Sequence, residues 1–238
     1  MMLTNRSTFL HVPKTGGTWA RTMIQDLIVD DYGHEVRPEL LTDSHRYMFI
    51  RNPWAWYVST YNYIASGSAE SQASRMYNPL LKYFDKMPTF DEFIKAMSDP
   101  PDKLKTTAYN YVKLGTMIRK LRDPIVLPTV FGPTYKVYGD PELVKRWTTV
   151  DESFYTMTMR WYLQFATRVG KFESLKDDFL EMLHESDELT PEILARVLDS
   201  APINKSIQVD YQSYYTPELR DIVANSCSEL INKYEYEF

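Results

Sequence analysis

Nine residues near the amino terminus, His11-Val12-Pro13-Lys14-Thr15-Gly16-Gly17-Thr18-Trp19, carry the densest chemistry in the chain. Two adjacent glycines let successive backbone N–H groups turn inward, a helix starting after them adds its positive end, and Lys14 adds a full charge to an anion held there. Thr15 and Thr18 supply hydroxyl donors. In a Walker A loop, G-x-x-x-x-G-K-[ST], the lysine follows the second glycine; here Lys14 precedes both, which speaks against an ordinary ATPase. A bare Gly-Gly between strand and helix would be only a tight turn. The lysine and the two threonines are what turn the reading to an anion site.

The flanking elements can be read from pattern. Ser7 to Val12 is a short apolar run of β-formers stopped by Pro13 to Gly17, and Thr18 to Val29 places Trp19, Met23, Ile24, Leu27 and Ile28 on one helical stripe. A second strand, Tyr47 to Ile50, exits through Arg51-Asn52-Pro53 into a helix over Trp54 to Ile64, with Pro53 in the first turn. Thr89-Phe90-Asp91-Glu92 is a capping box opening a short helix to Met97. Thr167 to Glu173 reads as a strand, Ser174 as the N-cap of a helix from Leu175 to about Leu183, and Thr190-Pro191-Glu192 and Thr216-Pro217-Glu218 as two further helix starts. Apolar strands alternating with helices predict an α/β fold with a central parallel sheet covered on both faces. The proline-rich stretch 67–147 is expected to be a mostly helical and loop insertion within a single domain spanning 1–238.

Composition narrows the function. The chain has 238 residues, 27 Lys plus Arg against 32 Asp plus Glu, and a net charge of −5, so it lacks the global positive field of a non-specific nucleic-acid binder and any anion site must be local. Its one cysteine, Cys227, excludes an internal disulfide and any multi-cysteine metal site, and reads as a core thiol. No H-E-x-x-H or Asp-rich loop is present, so no metal is expected. No apolar stretch approaches the ~18 residues of a membrane span and no leader pattern precedes the first strand, which predicts a soluble, cytoplasmic protein. Aromatic residues make up 14% of the chain. Trp54, Trp56, Tyr57, Tyr61, Tyr63, Tyr109, Tyr111, Tyr135 and Tyr138 offer faces suited to sugars or phenols, although core packing accounts for such residues equally well.

Pro13-Lys14-Thr15-Gly16-Gly17-Thr18 after a β-strand resembles the 5′-phosphosulfate loop of the sulfotransferases that use 3′-phosphoadenosine-5′-phosphosulfate (PAPS), closest to the carbohydrate sulfotransferase branch. Phe49 to Trp54 with Ser59 and Tyr61 is similar to the 3′-phosphate segment of that family, in which an Arg leaving a strand and a Ser eight residues later hold the phosphate. Arg51 and Ser59 stand at those positions. Val169 to Phe179 and Tyr214 to Phe238 resemble two later blocks, so the resemblance touches 7–64 and 167–238. It implies a P-loop-like three-layer fold and PAPS as donor, with 3′-phosphoadenosine 5′-phosphate as product. The implied nucleotide-binding set is Lys14, Thr15, Gly16, Gly17, Thr18, Trp19, Arg51 and Ser59. Trp19 departs from the family, where a small hydroxyl residue commonly follows the threonine; the indole either packs into the core or stacks near the adenine.

In-line sulfuryl transfer to a hydroxyl would place Lys14 at the departing oxygen, as electrostatic rather than covalent catalysis. A base must take the hydroxyl proton, and neutral histidine suits that near pH 7. The resemblance points to His34, within Gly33-His34-Glu35-Val36, with His45 and Glu35 as alternatives; His11 reads as structural and His184 as a solvated helix end. The expected acceptor is a glycan or small-molecule hydroxyl. A small P-loop nucleoside or nucleotide kinase, and an inactive nucleotide-binding protein, are the rival readings.

Overall fold

The computed structural model describes residues 1–34, 36–41, 44–65, 87–99, 125–126, 136–137, 153–201 and 210–238. The chain divides into two compact units, Met1–Asn52 with Met159–Asp210, and Pro53–Thr158 with Tyr211–Phe238. The strands are β1 (Met2–Leu3), β2 (Ser7–Leu10), β3 (Asp30–Asp31), β4 (His45–Ile50), β5 (Ile125–Val126), β6 (Lys136–Val137) and β7 (Arg168–Lys171). The helices are α1 (Gly17–Met23), α2 (Pro53–Ala65), α3 (Phe90–Ser98), α4 (Phe154–Leu163), α5 (Leu175–Glu185), α6 (Pro191–Asp199), α7 (Pro217–Ser226) and α8 (Ser228–Tyr234). The protein is α/β. Among the described residues, no helix is long and apolar enough to cross a membrane.

The first unit is built on a five-stranded sheet of order β3-β1-β2-β4-β7. Its centre is parallel, as patterning predicts: β2 pairs with β4, Leu10 opposite Met48, and β4 pairs with β7, Ile50 opposite Lys171. Both faces of β2 and of β4 from Tyr47 onward are buried, Phe9, Tyr47 and Phe49 alternating with Leu10, Met48 and Ile50, while β7 is mostly half-buried. Phe9, Tyr47 and Phe49 pack with Trp19, Ala20 and Met23 of α1, Phe179 and Met182 of α5, and Ile193 and Val197 of α6 in one core.

Three local features differ from expectation. The sheet is mixed rather than wholly parallel, because β1 runs antiparallel to both β2 and β3. The first helix stops at Met23 instead of Val29, since the chain must return to the sheet edge: Val29 N–H donates to Leu3 O at 2.8 Å and Asp30–Asp31 pair with β1. Ser174 occupies the N-cap position of α5 without capping it; its hydroxyl donates to Asp178 Oδ2 at 2.8 Å, and a 3-10 turn over Phe172–Ser174 feeds the chain into the helix.

In the second unit, the predicted caps are present. Thr89 and Glu92 form the reciprocal box at the start of α3, and the Thr216 hydroxyl accepts from Leu219 N–H at the start of α7. Trp56, Tyr57 and Phe93 are fully buried. Cys227, between α7 and α8, is buried beside Ser153 Oγ at 3.3 Å, as its apolar setting predicts. Within 67–147 the described elements are α3 and an antiparallel β5–β6 ladder pairing Ile125 with Val137; the rest of the expected insertion lies outside the described residues.

Candidate anion-binding site

Parallel pairing brings the ends of β2, β4 and β7 to one edge of the first unit, and the segments leaving them form the site. Such edges of α/β sheets are where ligands characteristically bind.

The loop leaving β2 is held in an unusual backbone. Lys14 has φ 64° and Gly16 φ 92°, both in the left-handed region. Glycine adopts this freely, whereas lysine bears a cost of roughly 1–2 kcal/mol there. A Cβ at Gly16 would also stand 2.7 Å from Leu175 Cδ2, and one at Gly17 would overlap the His11 ring. Gly16 is therefore dictated by its left-handed backbone and Gly17 by packing against the buried His11 ring. Thr15, buried, spends its hydroxyl hydrogen on Val12 O at 3.0 Å, closing the loop on itself, so the donor expected there is already engaged. Thr18 is exposed on the first turn of α1. Trp19 points into the core, edge-on to Phe179 at 5.1 Å with its Nε1–H donating to Ser200 Oγ at 3.2 Å. Of the two placements open to the indole, core packing is the one observed.

Arg51 leaves β4 beside this loop. Its Nη1 donates to Lys14 O at 3.2 Å, and its guanidinium lies 4.2 Å from the centre of the Phe172 ring. The next residue is fixed too: Asn52 N–H donates to Glu173 Oε1 at 2.8 Å. Phe172 and Glu173 contribute here because β7 is the parallel neighbour of β4, a pairing no local pattern in the sequence encodes. Lys14 is half-buried, and its pKa falls from 10.5 to about 8, chiefly because burial disfavours the ammonium and secondly because Arg51 repels it.

His34 reaches the same segment from the other side. Its Nδ1 lies 2.7 Å from His11 O, and the two imidazoles are 4.2 Å apart between centres. Its own carbonyl accepts from Tyr162 Oη at 2.8 Å. His34 is an exposed residue, yet enough protein surrounds its ring that desolvation lowers its pKa, with the hydrogen bond to His11 acting in the opposite sense. The alternatives stand elsewhere. His45 opens β4 opposite Ser7, at the far end of the strand from Arg51, and His184 is exposed in the last turn of α5. Glu35 lies outside the described residues.

Ser59 lies on the second turn of α2, in the second unit, where it is half-buried. Of the aromatic residues weighed as acceptor-binding faces, Trp54, Trp56 and Tyr57 are buried as core there, while Tyr61 and Tyr63 are half-buried; Trp54 Nε1–H donates to Arg220 O and Tyr61 Oη to Pro88 O. Tyr109, Tyr111, Tyr135 and Tyr138 lie outside the described residues. Among the described residues, no group of three or more His, Cys, Asp or Glu side chains is arranged to hold a metal ion.

Two cations are thus brought together at a loop of left-handed residues, with a histidine against the adjoining strand end. Such an arrangement can hold a small polyanion and accept a proton near it. In comparisons with family models, curated proteins and solved structures, the chain matches none.

Proposed function

We propose that the protein is an O-sulfotransferase, moving a sulfuryl group from PAPS to a hydroxyl of a glycan or small molecule on a P-loop-like fold. The observation that carries the reading is the approach of Arg51 to the Lys14 loop across the ends of two parallel strands, its Nη1 donating to Lys14 O at 3.2 Å and its charge repelling the Lys14 ammonium, in a chain whose net charge is −5. Placing two cations together in a partly buried site opposes folding, and a multiply charged anion would offset that cost.

In this reading Lys14 and the loop N–H groups hold the 5′-phosphosulfate, while Arg51 takes the 3′-phosphate. His34 accepts the acceptor's hydroxyl proton as the acceptor oxygen bonds to sulfur and the bond from sulfur to the phosphate oxygen breaks. Lys14 stabilises the charge that develops on that departing oxygen. Thr18 is an available hydroxyl donor at the mouth of the loop.

The test is incubation with PAPS and a panel of glycan and phenolic acceptors, read by mass spectrometry for added sulfate. It is paired with calorimetry of 3′-phosphoadenosine 5′-phosphate on wild type, Lys14→Ala and Arg51→Ala. Sulfate transfer, with binding at least tenfold weaker in both variants, is expected. Wild-type affinity in the variants would refute the site, stabilisation by ATP–Mg²⁺ in place of the bisphosphate would favour a kinase, and binding without turnover across the panel an inactive nucleotide binder.

A further inference from the structure

The chemistry at His34 depends on which ring nitrogen carries the proton, and the surroundings of His11 and His34 decide it. His34 Nδ1 is 2.7 Å from the His11 carbonyl oxygen. A carbonyl only accepts, and two lone pairs at that separation would repel, so in the neutral ring the proton belongs on Nδ1. We propose that the main chain of His11 is a positioning group that locks neutral His34 in the Nδ1–H form, leaving Nε2 as its one basic nitrogen.

The rest of the His11 residue supports this role. Its ring is buried at 8% exposure, lies against His34 with the two ring planes tilted by 49°, and fills the space where Gly17 would carry a side chain. It therefore joins the histidine to the anion loop by direct packing. Its Nδ1 has no hydrogen-bond partner among the described residues, and burial with the neighbouring His34 pushes its pKa well down, so it stays neutral beside a ring that must gain charge. The His34 backbone is pinned as well: Tyr162 Oη donates to His34 O, the Met1 ammonium donates to Gly33 O, and Gly33 N–H donates to Asp31 Oδ1 at 2.8 Å. The charged groups acting on the His34 ring are the Met1 ammonium and Arg21, which disfavour its protonation, and Asp31, which favours it; Arg21 and Asp31 are ion-paired with each other.

The consequence for catalysis rests on the sulfotransferase reading. When an acceptor hydroxyl loses its proton, the proton goes to Nε2, the ring becomes an imidazolium, and the Nδ1–H bond to His11 O strengthens as charge develops. The tautomer itself does not depend on that reading.

Two-bond ¹H–¹⁵N spectra of the full chain labelled with ¹⁵N-histidine, without nucleotide or acceptor, test it. The His34 signals are identified by their loss in His34→Gln, or, should that variant not fold, by elimination among the four histidines through His11→Leu, His45→Gln and His184→Gln. Above the His34 pKa, Nδ1 is expected at the shift of a protonated ring nitrogen and Nε2 at that of a bare one. His11→Leu, which keeps the carbonyl, should leave this pattern unchanged. The opposite tautomer in wild type, or a switch to it in His11→Leu, overturns the proposal. Because no substrate is present, a failed sulfate-transfer assay would remove the catalytic consequence and leave the tautomer result standing.

Discussion

Lys14 is where folding and binding pull against each other. Its folded pKa of about 8 lies below the unfolded value of 10.5, so between these limits the unfolded chain binds more protons and stability rises with pH. Below about pH 8 the cost is fully present, and a shift of this size corresponds to at most about 3 kcal/mol, less after solvent screening. Lys14→Met keeps the aliphatic stem and removes the charge. The apo variant is expected to melt several degrees higher than wild type at pH 7, with the gain shrinking towards pH 10, and to bind the 3′,5′-bisphosphate at least tenfold more weakly. Scanning calorimetry at the two pH values checks the first half; an unchanged melting temperature at pH 7 would show that the ammonium is not held at a cost. At this scale, the cation and the glycines were legible because residue type alone names them. The partners were not: His11 and His34 are 23 positions apart, and Phe172 under Arg51 is more than a hundred residues away along the chain.

Elements whose signals are local match their reading best. The caps at Thr89, Thr190 and Thr216 and the strand end at Ile50 need only a few neighbouring residues to be specified. The two-residue strands β1 and β3 carry no periodicity, and the early end of α1 follows from their pairing, so none of these could be read ahead of the topology. The same distinction separates Thr216 from Ser174. Thr216 accepts from Leu219 N–H at 3.3 Å, whereas Ser174 accepts no backbone donor and instead donates to Asp178. Thr216→Ala is therefore expected to cost about 1 kcal/mol in urea unfolding, as loss of an N-cap does. Should Thr216→Ala unfold at the wild-type midpoint, the threonine is not holding the start of α7.

For the molecule as a whole, the sign of the net charge and the sign of the site disagree, and salt separates the two. With 32 acidic against 27 basic side chains, the long-range field repels a polyanion, while Lys14 and Arg51 attract it at contact. At physiological ionic strength the Debye length is ~8 Å, so the contact pair dominates; at about 0.01 M it is ~30 Å and the whole negative surface is felt. Raising salt weakens attraction and repulsion together. The affinity for 3′-phosphoadenosine 5′-phosphate is therefore expected to change less than about tenfold between those two ionic strengths, unlike a protein whose whole surface is basic. Calorimetric titration at the two salt concentrations measures it. A hundredfold loss would mean that further cations surround the nucleotide and that the site is larger than the Lys14–Arg51 pair.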